Sequence, residues 1–147
     1  MNKNEVKKIN RKQAVEEMSK FLEKHDPKGF RRGEYSKDKI LEDYVDVIEA
    51  IEDGKLVFDD HLVPTYEYYE PLFPDSNTRS EKDDACTLRS RVKAADKALV
   101  MDGLNFEKQR GTYALKMLSY LCQIEMYRVK ELGSTDFNTL NQLCSVF

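Results

Sequence analysis

Residues 105–147 place apolar side chains at helical spacing almost to the last position. No other stretch constrains the fold as strongly. Tyr113, Met117, Tyr120, Leu121, Ile124 and Tyr127 fall on one helical face, with Lys116, Ser119, Gln123 and Lys130 opposite. Gly133 fits the position just past a helix end, and Ser134 or Thr135 fits the start of the next. Phe137, Leu140, Leu143, Cys144 and Phe147 then resume the spacing. The spacing predicts a long helix followed by a short terminal one. Residues 106–110 form either a short helix or the first turns of the long one, with a kink at Gly111.

The preceding segments follow a different order. Residues 3–24 carry a broken stripe of Val6, Ile9, Ala14, Met18, Phe21 and Leu22 among lysines and glutamates. A stripe this thin predicts a helix that is either a loosely attached arm or is completed by another chain. Pro27 and Gly29 end it, and residues 30–35 continue as loop. Ser36 caps a predicted helix over 37–52, with Ile40, Leu41, Tyr44, Val45, Ile48 and Ile51 on one face and Gly54 as the stop.

The period then changes to that of strands. Residues 55–58 and 62–70 are strand-like and flank the turn signal Asp59-Asp60-His61, where an Asp side chain bonds its own backbone. Pro64 and Pro71 must sit at strand ends or on an edge, because proline has no N–H for a ladder. Residues 73–84 read as a polar, mobile loop containing the charged run Glu81-Lys82-Asp83-Asp84. Residues 85–89 form a returning strand. Ser90 caps a helix over 91–101, with Val92, Ala95, Leu99 and Val100 inward. The fold class is therefore α+β and mainly helical. A small antiparallel sheet or hairpin at about 55–90 packs on a C-terminal helical region, with an N-terminal helical arm. The predicted organisation is an arm and loop over 1–35 and a single α+β domain over 36–147, ending in a helix pair.

Composition excludes several classes of function. The 24 basic and 27 acidic residues are well mixed and give a net charge of −3. The basic footprint of a nucleic-acid binder is absent. No apolar run approaches the roughly 20 residues of a membrane span, and the charged start Met1-Asn2-Lys3-Asn4-Glu5 does not read as a signal peptide. Cys86, Cys122 and Cys144 are odd in number with no Cys-x-x-Cys pair, so free thiols in a reducing cytosol are expected. The only histidines, His25 and His61, each sit beside an aspartate in loop sequence, with no further ligands at metal spacing. There is no glycine-rich phosphate loop and no nucleophile elbow. No catalytic residue, cofactor or metal is expected, and protein binding is the remaining class.

Two features bear on binding. Tyr66 and Tyr68 share one face of a strand and Tyr69 points to the other. This cluster is either a binding surface or a core face with Tyr69 half exposed. Arg89-x-Arg91-x-Lys93 is either a small positive patch for an acidic protein or solvated charge at a strand-to-helix junction.

The order of elements adds a third. A helix and a hairpin region precede Thr87-Leu88-Arg89-Ser90-Arg91-Val92-Lys93-Ala94-Ala95-Asp96. A glycine break, a long helix and Asp136-Phe137-x-x-Leu140-x-x-Leu143-x-x-x-Phe147 follow. Over roughly residues 54–147 this resembles the tail assembly chaperones of long-tailed bacteriophages. The resemblance implies a non-enzymatic protein of the host cytoplasm, absent from the mature particle. Such a protein binds the tape measure protein, gives way to the tail tube protein, and self-associates. It directs attention to Phe137, Leu140 and Phe147, and to Met117, Tyr120, Leu121 and Ile124 as a face for an apolar helical client. The alternative is a phage or mobile-element adaptor, or an inhibitor of a host factor.

Overall fold

A computed structural model describes residues 9–105 and 107–147. The proposed start of the first helix, with Val6, and Phe106 lie outside the described residues. In chain order the elements are α1 (Arg11–His25), α2 (Pro27–Arg31), α3 (Lys37–Asp43), α4 (Val45–Glu52), β1 (Leu56–Phe58), β2 (Pro64–Glu67), β3 (Ala85–Thr87), α5 (Ala94–Met101), α6 (Arg110–Cys122), α7 (Met126–Val129) and α8 (Ser134–Cys144). The fold is mainly helical α+β, as the pattern predicts. The strands form one antiparallel sheet in the order β1-β2-β3, with Tyr66 opposite Leu56 on one side and Cys86 on the other. Pro64 is the first residue of β2, where a missing N–H costs least. The turn before it is made by Asp59, whose Oδ1 accepts from the N–H groups of His61 (2.8 Å) and Val63 (2.9 Å).

The first helix is not loosely attached. Ala14, Met18, Phe21 and Leu22 are fully buried, and Val15 nearly so, in the same cluster as Ile48 and Ile51 of α4 and Leu140 and Leu143 of α8. The broken stripe suffices because it is concentrated in a few large residues. Burying each is worth roughly 1.5–3 kcal/mol. Asn10 caps the helix by accepting from the Gln13 N–H at 2.8 Å.

The helix predicted over 37–52 is two helices, broken at Tyr44 (φ −126°, ψ 33°). Ser36 does cap it, accepting from the Lys39 N–H. The break is stabilised from a distance. Gln142 of α8 accepts from the N–H groups of Asp46 (3.1 Å) and Val47 (3.4 Å), and its own amide donates to Asp46 Oδ2 at 2.7 Å. The donors freed at the start of α4 are thus satisfied by a residue almost a hundred positions away.

The long helix is also interrupted. It ends at Gln123, which sits in the left-handed region (φ 56°), and a short α7 follows. The Gln123 side chain donates to Thr87 O at 3.0 Å, a tertiary contact, and the Ser119 hydroxyl closes the stop locally by donating to Ile124 O at 2.7 Å. Gly111 is the second residue of α6 and makes no kink. Gly133 is the N-cap of α8 rather than the C′ residue of a long helix. The Glu70 carboxylate lies over Gly133, in the space a Cβ would occupy.

Residues 73–84 are pinned to the body. Glu81–Asp83 form a 3₁₀ turn, started by the Ser80 N–H donating to Asp83 Oδ2. Asp83 is 3% exposed and pairs with Arg128 of α7 at 2.8 Å. Arg128 also donates to Ser80 Oγ (3.1 Å) and meets Glu125. The Arg128 guanidinium, then the Ser80 N–H, hold the Asp83 carboxyl below the usual carboxylate range. The charged run that reads as solvated therefore includes one residue that anchors the loop. Replacing Arg128 with methionine is expected to leave Asp83 uncompensated and release the segment. Limited trypsin digestion should then cut at Arg79 or Lys82 several times faster than in the parent. Equal rates would contradict the anchoring role.

Candidate protein-binding surface

The tyrosine cluster belongs to the core. Tyr66 and Tyr68 are 0% and 1% exposed, and only Tyr69 is half-buried, with its hydroxyl donating to Asp53 Oδ2 at 2.6 Å. The two-residue strand period did place Tyr66 and Tyr68 on a common face, but that face is buried in the core, where the Tyr66 hydroxyl reaches Asp136 of α8. Tyr66 donates to Asp136 Oδ1 at 2.6 Å, and Asp136 also accepts from the N–H groups of Tyr69 (2.9 Å) and Glu70 (3.1 Å). Asp136 is fully buried in the first turn of α8, where the helix dipole favours a carboxylate. An Asp at that position signals a helix start, but nothing in the sequence around it points to β2.

Arg89 and Arg91 do not form one patch. The Arg89 guanidinium lies 4.0 Å from the Tyr120 ring centroid and donates to Tyr120 O at 2.8 Å, while its backbone N–H donates to Leu121 O at 2.9 Å. It is a clamp between the end of the sheet and α6, and it is half-buried. Arg91 remains exposed.

The proposed face of α6 is mostly spent internally. Met117, Leu121 and Ile124 are 4%, 0% and 5% exposed, and Tyr120 is half-buried beneath Arg89. Leu140 is fully buried, and Phe137 and Phe147 are partly covered. Phe147 packs against Phe21 (5.7 Å between centroids) and His25 (4.6 Å). His25 is accordingly no solvated loop residue. It ends α1 inside an aromatic cluster, and burial, then the charge of Lys24, lower its pKa to about 4.

Val45 and Val57 are exposed singly, whereas α5 carries two of the exposed large apolar side chains, Leu99 and Met101, and the helix is inverted. The helix starts at Ala94 rather than after Ser90, and the Lys93 N–H donates to the Asp96 carboxylate at 2.9 Å. The inward set expected here was Val92, Ala95, Leu99 and Val100. Only Val92 and Val100 are partly covered. The half-buried positions of the helix are Asp96, Lys97 and Val100, with Asp96 against the Tyr120 hydroxyl. The Lys93 N–H, and to a lesser degree that hydroxyl, hold the Asp96 carboxyl below its ordinary value. The exposed positions are Ala94, Ala95, Ala98, Leu99 and Met101, every one apolar, with Leu99 74% and Met101 39% exposed. Polar contacts with Tyr120 dictate which way the helix turns, and hydropathy alone assigns the opposite face. Tyr127, 54% exposed and stacked on Phe73 at 5.9 Å, is a smaller separate patch.

Among the described residues, no group of three or more His, Cys, Asp or Glu side chains is placed to hold a metal ion. Cys86 and Cys122 are buried, and Cys144 is partly covered. Burial raises the Cys144 thiol to about 11. A hydrogen bond with Cys86, and then burial, push the Cys122 thiol above its ordinary value. Thiols held neutral in this way are structural rather than nucleophilic. No described helix is long and apolar enough to cross a membrane. No protein-family model, curated protein or solved structure shows significant similarity to this chain.

Proposed function

We propose that this chain is a non-enzymatic helix-binding protein, and that it serves as a tail assembly chaperone whose client is the long apolar helix of a tape measure protein. The observation that carries this reading is α5. A helix that turns Asp96 and Lys97 inward and five apolar residues outward gathers apolar side chains on one exposed face, and a contiguous exposed apolar patch is what marks an interaction site. Three of the five are alanines, so a second helix can approach its backbone closely, with Leu99 as the projecting anchor. The resemblance over residues 54–147 supplies the kind of client. The surface differs from the one the resemblance directs attention to, because the α6 face is occupied by the chain's own core.

Co-expression with the products of neighbouring reading frames tests it. A long helix-rich product should become soluble only when this chain is present. Leu99→Glu should abolish that rescue while changing folding stability by no more than about 0.5 kcal/mol, as expected of a surface position. A client that is soluble alone, or equally rescued by Leu99→Glu, would rule the reading out.

A further inference from the structure

A cleft of about 480 Å³ lies where three distant parts of the chain meet: the end of α1, the linker before α5, and the final residues. Its polar lining is Lys24, His25, Ser90 and Arg91, and its apolar wall is Val92, Val146 and Phe147. No Asp or Glu side chain lines it, in a chain where acids outnumber bases. The Lys24 ammonium donates to the carbonyl of His61 at 2.6 Å, which positions the charge without neutralising it. Asp59, an acid that feels the Lys24 charge, has its carboxylate engaged by the N–H groups of its own turn. Among the described residues Arg91 has no ion-pair partner. The His25 Nε2 atom is buried with no hydrogen-bond partner.

We propose that this cleft is a binding site for an oxyanion, a carboxylate or a phosphate, held between Lys24 and Arg91 with Ser90 as a further donor. Lys24 and Arg91 line the cleft from separate elements, the Ser90 hydroxyl lies on the same wall, and no Asp or Glu side chain competes. That is the donor set an oxyanion requires. The volume falls within the range of small-molecule sites, and the wall of Val92, Val146 and Phe147 gives an apolar body beside the anion somewhere to lie. The wall favours a carboxylate on an aliphatic body over a bare phosphate. The site is independent of α5 and of the client proposed above.

The two histidines make the test direct. The full chain, at neutral pH and low salt, is titrated separately with N-acetyl-leucine and with inorganic phosphate while the His25 and His61 ring resonances are followed by NMR. The His25 signal should move saturably, and by more than that of His61, whose backbone carbonyl accepts from Lys24. Bound anion should raise the His25 pKa, because it stabilises the imidazolium. N-acetyl-leucine binding more tightly assigns the site to carboxylates. Phosphate binding more tightly assigns it to phosphates. Arg91→Ala should weaken either by about fivefold or more, and Arg91→Lys should restore most of the affinity, since an exposed cation contributes modestly and mainly through charge. No saturable His25 shift with either probe, or binding unchanged by Arg91→Ala in a folded variant, overturns the proposal.

Discussion

Asp136→Ala should destabilise the fold by about 4 kcal/mol, because it strips the partner from three donors at once. The Tyr66 hydroxyl is left buried with only the Thr139 hydroxyl beside it, and the part-buried backbone N–H groups of Tyr69 and Glu70 lose their acceptor where the chain leaves β2. Each orphaned buried donor costs on the order of 1–3 kcal/mol, and water entering the vacated space recovers part of that. Set against a total stability of roughly 5–15 kcal/mol for a domain, the loss is large enough to leave a measurable unfolded fraction. Asp136→Asn keeps the shape but offers one acceptor oxygen where two were used. It should cost about half as much. Tyr66→Phe removes a single donor and leaves Asp136 with its two backbone bonds, for a cost of about 1 kcal/mol. Urea denaturation of the single and double variants would separate the terms, and Tyr66 and Asp136 should be non-additive because they share one bond. A cost below about 1 kcal/mol for Asp136→Ala would mean that α8 and the sheet are held together by apolar packing alone.

The same residue shows where the sequence stops being legible. Apolar spacing located the helices and the strand period located the sheet, because both arise from local geometry and the wish to bury one face. The Tyr66 and Tyr68 face, the Asp59 turn and the Ser36 cap could be read for that reason. The splits at Tyr44 and Gln123 could not. Each is compensated by a partner far along the chain, Gln142 for the first and Thr87 for the second. Asp83 looked like one more solvated acid until Arg128 of α7 stood against it. The α5 face went wrong in a more instructive way. The helix was correctly expected, but its hydrophobic side was assigned to the core by default. Its actual orientation follows from Asp96, which satisfies the Lys93 N–H and faces Tyr120, itself covered by Arg89. Polar partners with defined geometry overrode the cheaper burial of an alanine-rich stripe, whose small side chains have little apolar area to gain. The candidate surface was therefore legible as an amphipathic helix and illegible as a surface.

Lowering the pH from about 6.5 to 4 should destabilise the protein through His25, in a window that lies above most carboxylate titration. The ring ends α1 between Phe21, at 4.4 Å, and Phe147, at 4.6 Å, and its Nε2 atom has no partner. Burial, and then the neighbouring Lys24 charge, depress its folded-state pKa from the ordinary 6.5 to about 4. In the unfolded chain the imidazole takes up a proton near 6.5. In the folded chain it does not until about 4. The unfolded state thus binds more protons throughout the interval, and stability falls as pH falls. The contribution is complete above 6.5 and lost progressively below it. Discounted for a ring that is only half-buried, the loss is about 1–2 kcal/mol by pH 4. The carboxylates held low by native partners, Asp26, Asp59, Asp83, Asp96 and Glu125, add their losses further down, as the pH drops through and below their ordinary range. His25→Leu removes the titrating group while keeping an apolar side chain against Phe21 and Phe147. Its stability should be nearly flat between pH 6.5 and 4.5, where the parent declines. Equal slopes for the two proteins across that interval, measured by urea denaturation at fixed ionic strength, would show that His25 is as free to protonate in the native state as in the unfolded chain.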